Sequence, residues 1–138
     1  MKKNAFTLLE LLVVIGIIAI LVALATVSYS ATQQAGRDSR RKQDLVAMQN
    51  ALEQYYSNNG YKYPTGNCNA AKQYMQGSWP TDPNATGYIN DGSCDPTHYC
   101  LCAILERSTG GNTGSTDIMS TGCSWGSGAN YYCVGNLQ

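Results

Sequence analysis

The 138-residue sequence holds one histidine, one phenylalanine and four prolines, and only 13% of its residues are charged. Each scarcity removes a class of function. His98 stands beside a cysteine-rich run, with no serine motif, paired carboxylates or glycine-rich phosphate loop to complete a catalytic constellation. It is read as a surface or packing residue, and the chain as no enzyme. Nine basic residues balance nine acidic ones, so net charge makes no case for nucleic acid. No cysteine precedes Cys68, and no CxxCH run is present to attach haem. Proline is missing between Phe6 and Asn59, so nothing there forces a helix to break.

What is present begins with a short basic leader, Met1-Lys2-Lys3-Asn4-Ala5, and an apolar run over residues 6–25 whose only charge is Glu10. As an α-helix that run spans roughly 30 Å, the thickness of a bilayer's hydrocarbon core. About 110 residues remain, enough for a small domain with a thin core. A secretory signal would fit the leader charge, but the run outlasts an ordinary h-region and no small-x-small site ends it before Tyr29. A carboxylate in lipid costs ~2.5–3.5 kcal/mol on insertion scales, so Glu10 is a candidate functional residue. The bland alternative is that it is protonated and tolerated near the interface.

Beyond the apolar run the helical pattern continues. Leu45, Met48, Leu52 and Tyr55 recur at three- and four-residue spacing, an apolar stripe able to pack on a globular head. Asp38 is spaced to pair with Lys42, and Arg40 with Asp44. The cluster Arg37, Arg40, Arg41 and Lys42 is read as a solvated or subunit-contacting face. Asn58-Asn59-Gly60 is a helix stop, because glycine accepts the left-handed conformation that ends helices. After Gly60, short runs alternate with turn formers. Residues 99–106 and 129–134 have strand character, and the Gly/Ser/Thr-rich stretch between them has room for a third strand near residues 117–119. Ten tyrosines suit a thin core, since the ring buries while the hydroxyl finds a polar partner.

All six cysteines follow the apolar run, which points to disulfides on an oxidising side; one close pair and one histidine do not complete a metal site. Cys100 and Cys102 share a strand face. If the last two runs return antiparallel, nesting pairs Cys102 with Cys123 and Cys100 with Cys133, leaving Cys68 with Cys94. Six cysteines allow fifteen connectivities.

The ordered run Ala5-Phe6-Thr7-Leu8-Leu9-Glu10-Leu11-Leu12-Val13-Val14-Ile15 resembles the leader junction of type IV pilins and type II secretion pseudopilins. The resemblance implies cleavage by a prepilin peptidase between Ala5 and Phe6, N-methylation of Phe6, and filament assembly through Phe6 and Glu10. The family usually has glycine before the cut, where this chain has Ala5. Tyr61-Lys62-Tyr63-Pro64-Thr65-Gly66 and Trp79-Pro80-Thr81-Asp82-Pro83 resemble landmarks of the same family's heads. A free amine on Phe6 and a neighbour's Glu10 carboxylate would satisfy one another within packed apolar helices, where either charge alone is costly. Type II pseudopilins also hold calcium in a head loop, which makes Asp82, Asp91 and Asp95 candidate ligands; Asx turns account for the same residues. No other cofactor is implied.

The expected fold is α+β, a long N-terminal spine helix packed on a small antiparallel sheet with disulfide-tied loops. Its expected segments are a cleaved leader (1–5), a transmembrane and filament-core half-helix (6–29), an amphipathic half-helix (30–59) and an extracytoplasmic head (60–138). The expected function is a type IV pilus-like subunit, a homo-oligomer in a helical filament. It would sit first in cytoplasmic-membrane lipid, then in an extracytoplasmic filament, with the peptidase, an inner-membrane assembly platform and minor pilins as partners. The alternatives are a pseudopilin of type II secretion or DNA uptake, and a monomeric membrane-anchored binding domain.

Overall fold

With no proline to interrupt it, the N-terminal half of the chain forms a single helical element. In the computed structural model, which describes residues 6–89, 94–114 and 127–137, α1 spans Leu8–Asn58, 51 residues. Two compact units divide it, Met1–Gln34 and Ala35–Gln138. In the first, every described side chain of residues 6–25 is exposed, and nearly all of them are apolar.

The end of α1 follows from its residues. Gly60 adopts φ +66°, and the Tyr61 amide reaches back to the Tyr56 carbonyl at 3.1 Å. This is a Schellman stop, and the apolar contact that usually accompanies it is the edge-on packing of Tyr61 against Tyr56, ring centres 5.6 Å apart.

In the second unit the expected stripe becomes the core. Leu45, Met48, Ala51 and Leu52 are sealed from solvent against Tyr63, Tyr99, Leu101, Ala103 and Val134, with Tyr55 at the margin. The sheet is an antiparallel pair, β1 (Cys100–Ile104) and β2 (Tyr131–Gly135). Along β1, Leu101 and Ala103 join the core while Cys100 and Cys102 face a second cluster with Cys133, the period-two alternation of a strand. Isolated bridges widen the sheet, Ile89 against Cys102 and Thr113 against Tyr131. The third strand expected near residues 117–119 lies outside the described residues.

Tyr63, Tyr88 and Tyr99 bury their rings and keep their hydroxyls bonded. Glu53 accepts from Tyr99 at 2.8 Å and from Tyr63 at 3.0 Å, and takes the Leu137 amide at 3.1 Å. Tyr88 donates to Asp44 at 2.6 Å. Burial first, and the adjoining carboxylate second, push the Tyr63, Tyr88 and Tyr99 hydroxyls upward in pKa.

Cys68 bonds Cys94 as expected. The nested pairing is corrected, because Cys102 bonds Cys133. These two residues are direct cross-strand partners, with Cα atoms 4.1 Å apart. Their own backbone groups point outward, those of Cys102 to Ile89 and those of Cys133 to the Asn112 carboxamide. That leaves the pair as a close, non-hydrogen-bonded position of the ladder. In this register Cys100 lies opposite Gly135. A Cys100–Cys133 bond needs a two-residue slip, which keeps every side chain on its face and so is invisible to alternation. Cys100 is disulfide-bonded too, and Cys123 lies outside the described residues. Replacing Cys102 and Cys133 together by alanine is expected to cost about 2–5 kcal/mol, measured by urea titration of the detergent-solubilised chain.

The basic cluster also departs from expectation. Only Arg40 makes its expected pair, reaching Asp44 at 3.9 Å while two-thirds exposed. Arg41 is buried, not solvated: it donates to Asp82 at 2.6 and 3.3 Å, to Asp38 at 2.8 Å and to Glu106 at 3.0 Å. Asp38 therefore pairs with Arg41 rather than Lys42, and its carboxylate also takes the Glu106 and Arg107 amides. Arg37 clamps Glu106 with two bonds, at 2.7 and 2.6 Å. Lys42 instead donates to the Gly110 carbonyl and lies 5.3 Å over the Tyr132 ring. The helix segment is thus bolted to the loops around residues 82 and 106.

This network sets an acid limit. Arg37 first, then Arg41, holds the Glu106 carboxyl down at about 2, against an ordinary 4.5. Burial would raise the Asp82 carboxyl, but the Arg41 bonds and the Asn84 amide outweigh it and hold it below its usual range. Between pH 4.5 and about 2 the unfolded chain binds the extra Glu106 proton, so stability is complete above that window and declines as pH falls through it. The expected loss from Glu106 is about 1–3 kcal/mol after allowance for solvent screening. Urea midpoints measured from pH 6 to pH 2 check it.

Candidate assembly site

The local chemistry at the start of α1 is a reciprocal cap. Thr7 precedes the helix and Glu10 lies three residues on, the T-x-x-E order of a capping box. Glu10 Oε2 accepts from the Thr7 amide at 2.9 Å and from its hydroxyl at 2.8 Å, while the Glu10 amide donates to Thr7 Oγ1 at 3.3 Å. The apolar spacing around Glu10 drew attention to its charge, yet Thr7-Leu8-Leu9-Glu10 already carried this second reading. Thr7 is the residue that the sequence reading missed.

The cap gives the carboxylate two hydrogen bonds within its own chain. Both groups are exposed, and the two bonds converge on Oε2. Around them lie the exposed Phe6, Leu8, Leu9, Leu11 and Leu12. A continuous exposed apolar surface of this kind marks a membrane or protein contact. By length and composition, α1 is able to cross a membrane. The structure does not test the cleavage junction, since Ala5 lies outside the described residues; Phe6 is described and exposed.

Of the calcium candidates, Asp82 and Asp95 lie among the described residues. Asp82 accepts from Arg41 on both oxygens. Asp95 caps its own turn, accepting from the Thr97 amide at 2.9 Å and hydroxyl at 2.6 Å. Asp91 lies outside the described residues. Among the described residues, no group of three or more His, Cys, Asp or Glu side chains is placed to hold a metal.

An apolar, carboxylate-bearing N-terminal helix, continued as the spine of a small disulfide-tied α+β head, defines a pilin-type protein. Residues 1–26 match the family model described as the prokaryotic N-terminal methylation motif. The chain is 31% identical over 126 residues to the type II secretion system core protein G of Escherichia coli (strain K12), covering 88% of this chain and 82% of the relative. The corresponding protein of Dickeya chrysanthemi is 27% identical over 124 residues, covering 88% and 78%. That of Aeromonas hydrophila is 36% identical over 64 residues, covering 46% and 44%. The chain belongs to the type II secretion system core protein G family, within the pilins and pseudopilins. No solved structure is significantly similar to it.

Proposed function

We propose that this chain is the repeating subunit of a secretion-type pseudopilus, cut between Ala5 and Phe6, methylated at Phe6 and assembled through Phe6 and Glu10. The observation that carries this reading is the 31% identity over 126 residues to a core protein G. It reaches well past residues 1–26, the span matched by the methylation-motif family model. The exposed apolar segment supports a membrane-held precursor whose helices pack together when lipid is left behind. A prepilin peptidase, an inner-membrane assembly platform and minor pilin-like subunits are the partners this route requires.

Deleting the gene in its host tests the assignment. The expected result is retention of exported proteins inside the envelope, restored by the wild-type gene. Unchanged export with loss of surface pili or twitching would assign the subunit to a type IV pilus instead. Unchanged export together with a wholly monomeric protein would favour an anchored binding domain.

A further inference from the structure

Charge on the head half of α1 is placed the wrong way round for a helix that meets only water. A solvated helix face usually carries the charged residues. Here Arg37, Asp38, Arg41 and Lys42 are turned to the head, where each has a partner: Glu106 for Arg37, Asp38 and Arg41 for one another, the Gly110 carbonyl for Lys42. Asp44 and Glu53 accept from the Tyr88 and Tyr99 hydroxyls. The outward stripe is Ser39, Gln43, Val46, Asn50, Gln54 and Ser57, all exposed and at three- and four-residue spacing. It is free of charge over roughly five turns. Arg40, at its edge, reaches sideways to Asp44.

This composition selects what can cover the stripe. Lipid does not suit it, because the carboxamides of Gln43, Asn50 and Gln54 would lose their hydrogen bonds there. A strongly charged partner finds no counter-charge on it. Another helix does suit it: Val46, 40% exposed, offers an apolar contact at its centre, and carboxamides both donate and accept across a helix seam. A second copy of this chain supplies such a helix. Its α1 carries an exposed apolar surface whose one charge over residues 6–25 is Glu10, so two copies can close on the stripe without burying an unpaired ion. In a head-to-tail array the two contacting patches of one chain are different ones, so the stripe need not meet itself. We propose that the Ser39 to Ser57 stripe packs against α1 of a second copy, carrying the contact between subunits into the head half of the helix. This rests on the filament reading above and adds a surface to it.

The test places the photocrosslinker p-benzoylphenylalanine at Asn50 or, separately, at Ile17 of the full chain in its native host. Light is expected to link both variants into dimers and higher multiples of this chain. Links from Ile17 alone overturn the stripe contact and leave the filament reading standing, whereas links from neither end both. A link from Asn50 to a different protein also overturns the proposal. Asn50→Lys and Val46→Glu are each expected to lower sheared-filament yield roughly tenfold or more, with the urea midpoint of the head unchanged. Lys62→Glu, an exposed change off the stripe, is expected to leave the yield within about twofold. Equal losses in all three would show that added acid or base lowers yield wherever it is placed, and would overturn the stripe.

Discussion

Arg41→Met is expected to destabilise the head by about 3–5 kcal/mol, because it leaves buried carboxylates without their cation. A domain of this size has only about 5–15 kcal/mol in hand, so the variant should sit close to unfolding at 37 °C. The loss concentrates at Asp82, whose two oxygens both face the Arg41 fork, and at Asp38, buried beside it. Arg41→Lys should recover part of the loss, since an ammonium keeps the charge but not the planar fork. Arg40→Met is the control. That side chain is two-thirds exposed and 3.9 Å from Asp44, so its change is expected to stay within about 0.5 kcal/mol. Urea midpoints of the three variants decide the matter. Equal midpoints for Arg41→Met and Arg40→Met would refute the buried hub.

Glu10→Ala is expected to abolish incorporation into filaments while leaving the urea midpoint of the head unchanged. Glu10 lies in the unit Met1–Gln34, and the head in Ala35–Gln138. The loss should be large, because a neighbour's amine would be buried among apolar helices without its counter-charge. Thr7→Val separates two roles of the same carboxylate. It removes the two bonds made by the Thr7 hydroxyl, leaving the one from the Thr7 amide, at about 1 kcal/mol of helix stability, and it keeps the charge. Sheared-filament yield should therefore fall modestly in Thr7→Val and to background in Glu10→Ala. Equal collapse in both would mean that Glu10 acts through its own cap and not through a neighbour.

These two sites differ in how far the sequence disclosed them. Glu10 was legible because its signal is local: one charge in an apolar run. The Leu45, Met48 and Leu52 stripe and the β1 and β2 runs were legible for the same reason, since helical and strand periodicities are short-range. Arg41 was not. Its carboxylate partners Asp82 and Glu106 lie 41 and 65 residues away, and one helix turn of sequence cannot tell a solvated arginine from a buried one. Asp38 shows the same limit, because spacing offered Lys42 and the fold chose Arg41. The Cys102–Cys133 bond was hidden by register, since an even slip preserves the facing pattern from which the nested pairing was built. Glu53 gave no local signal at all; only the tertiary fold brings Tyr63, Tyr99 and Leu137 to one carboxylate.

The central claim is that this chain is processed at Ala5–Phe6 and lives in a filament by the end so produced. Intact-mass spectrometry of the protein isolated from its native host tests it most directly. A mass corresponding to a chain that begins with N-methylated Phe6 is the expected result. A chain that retains Met1, or one cut near Ala31 as an ordinary signal would be, would contradict it.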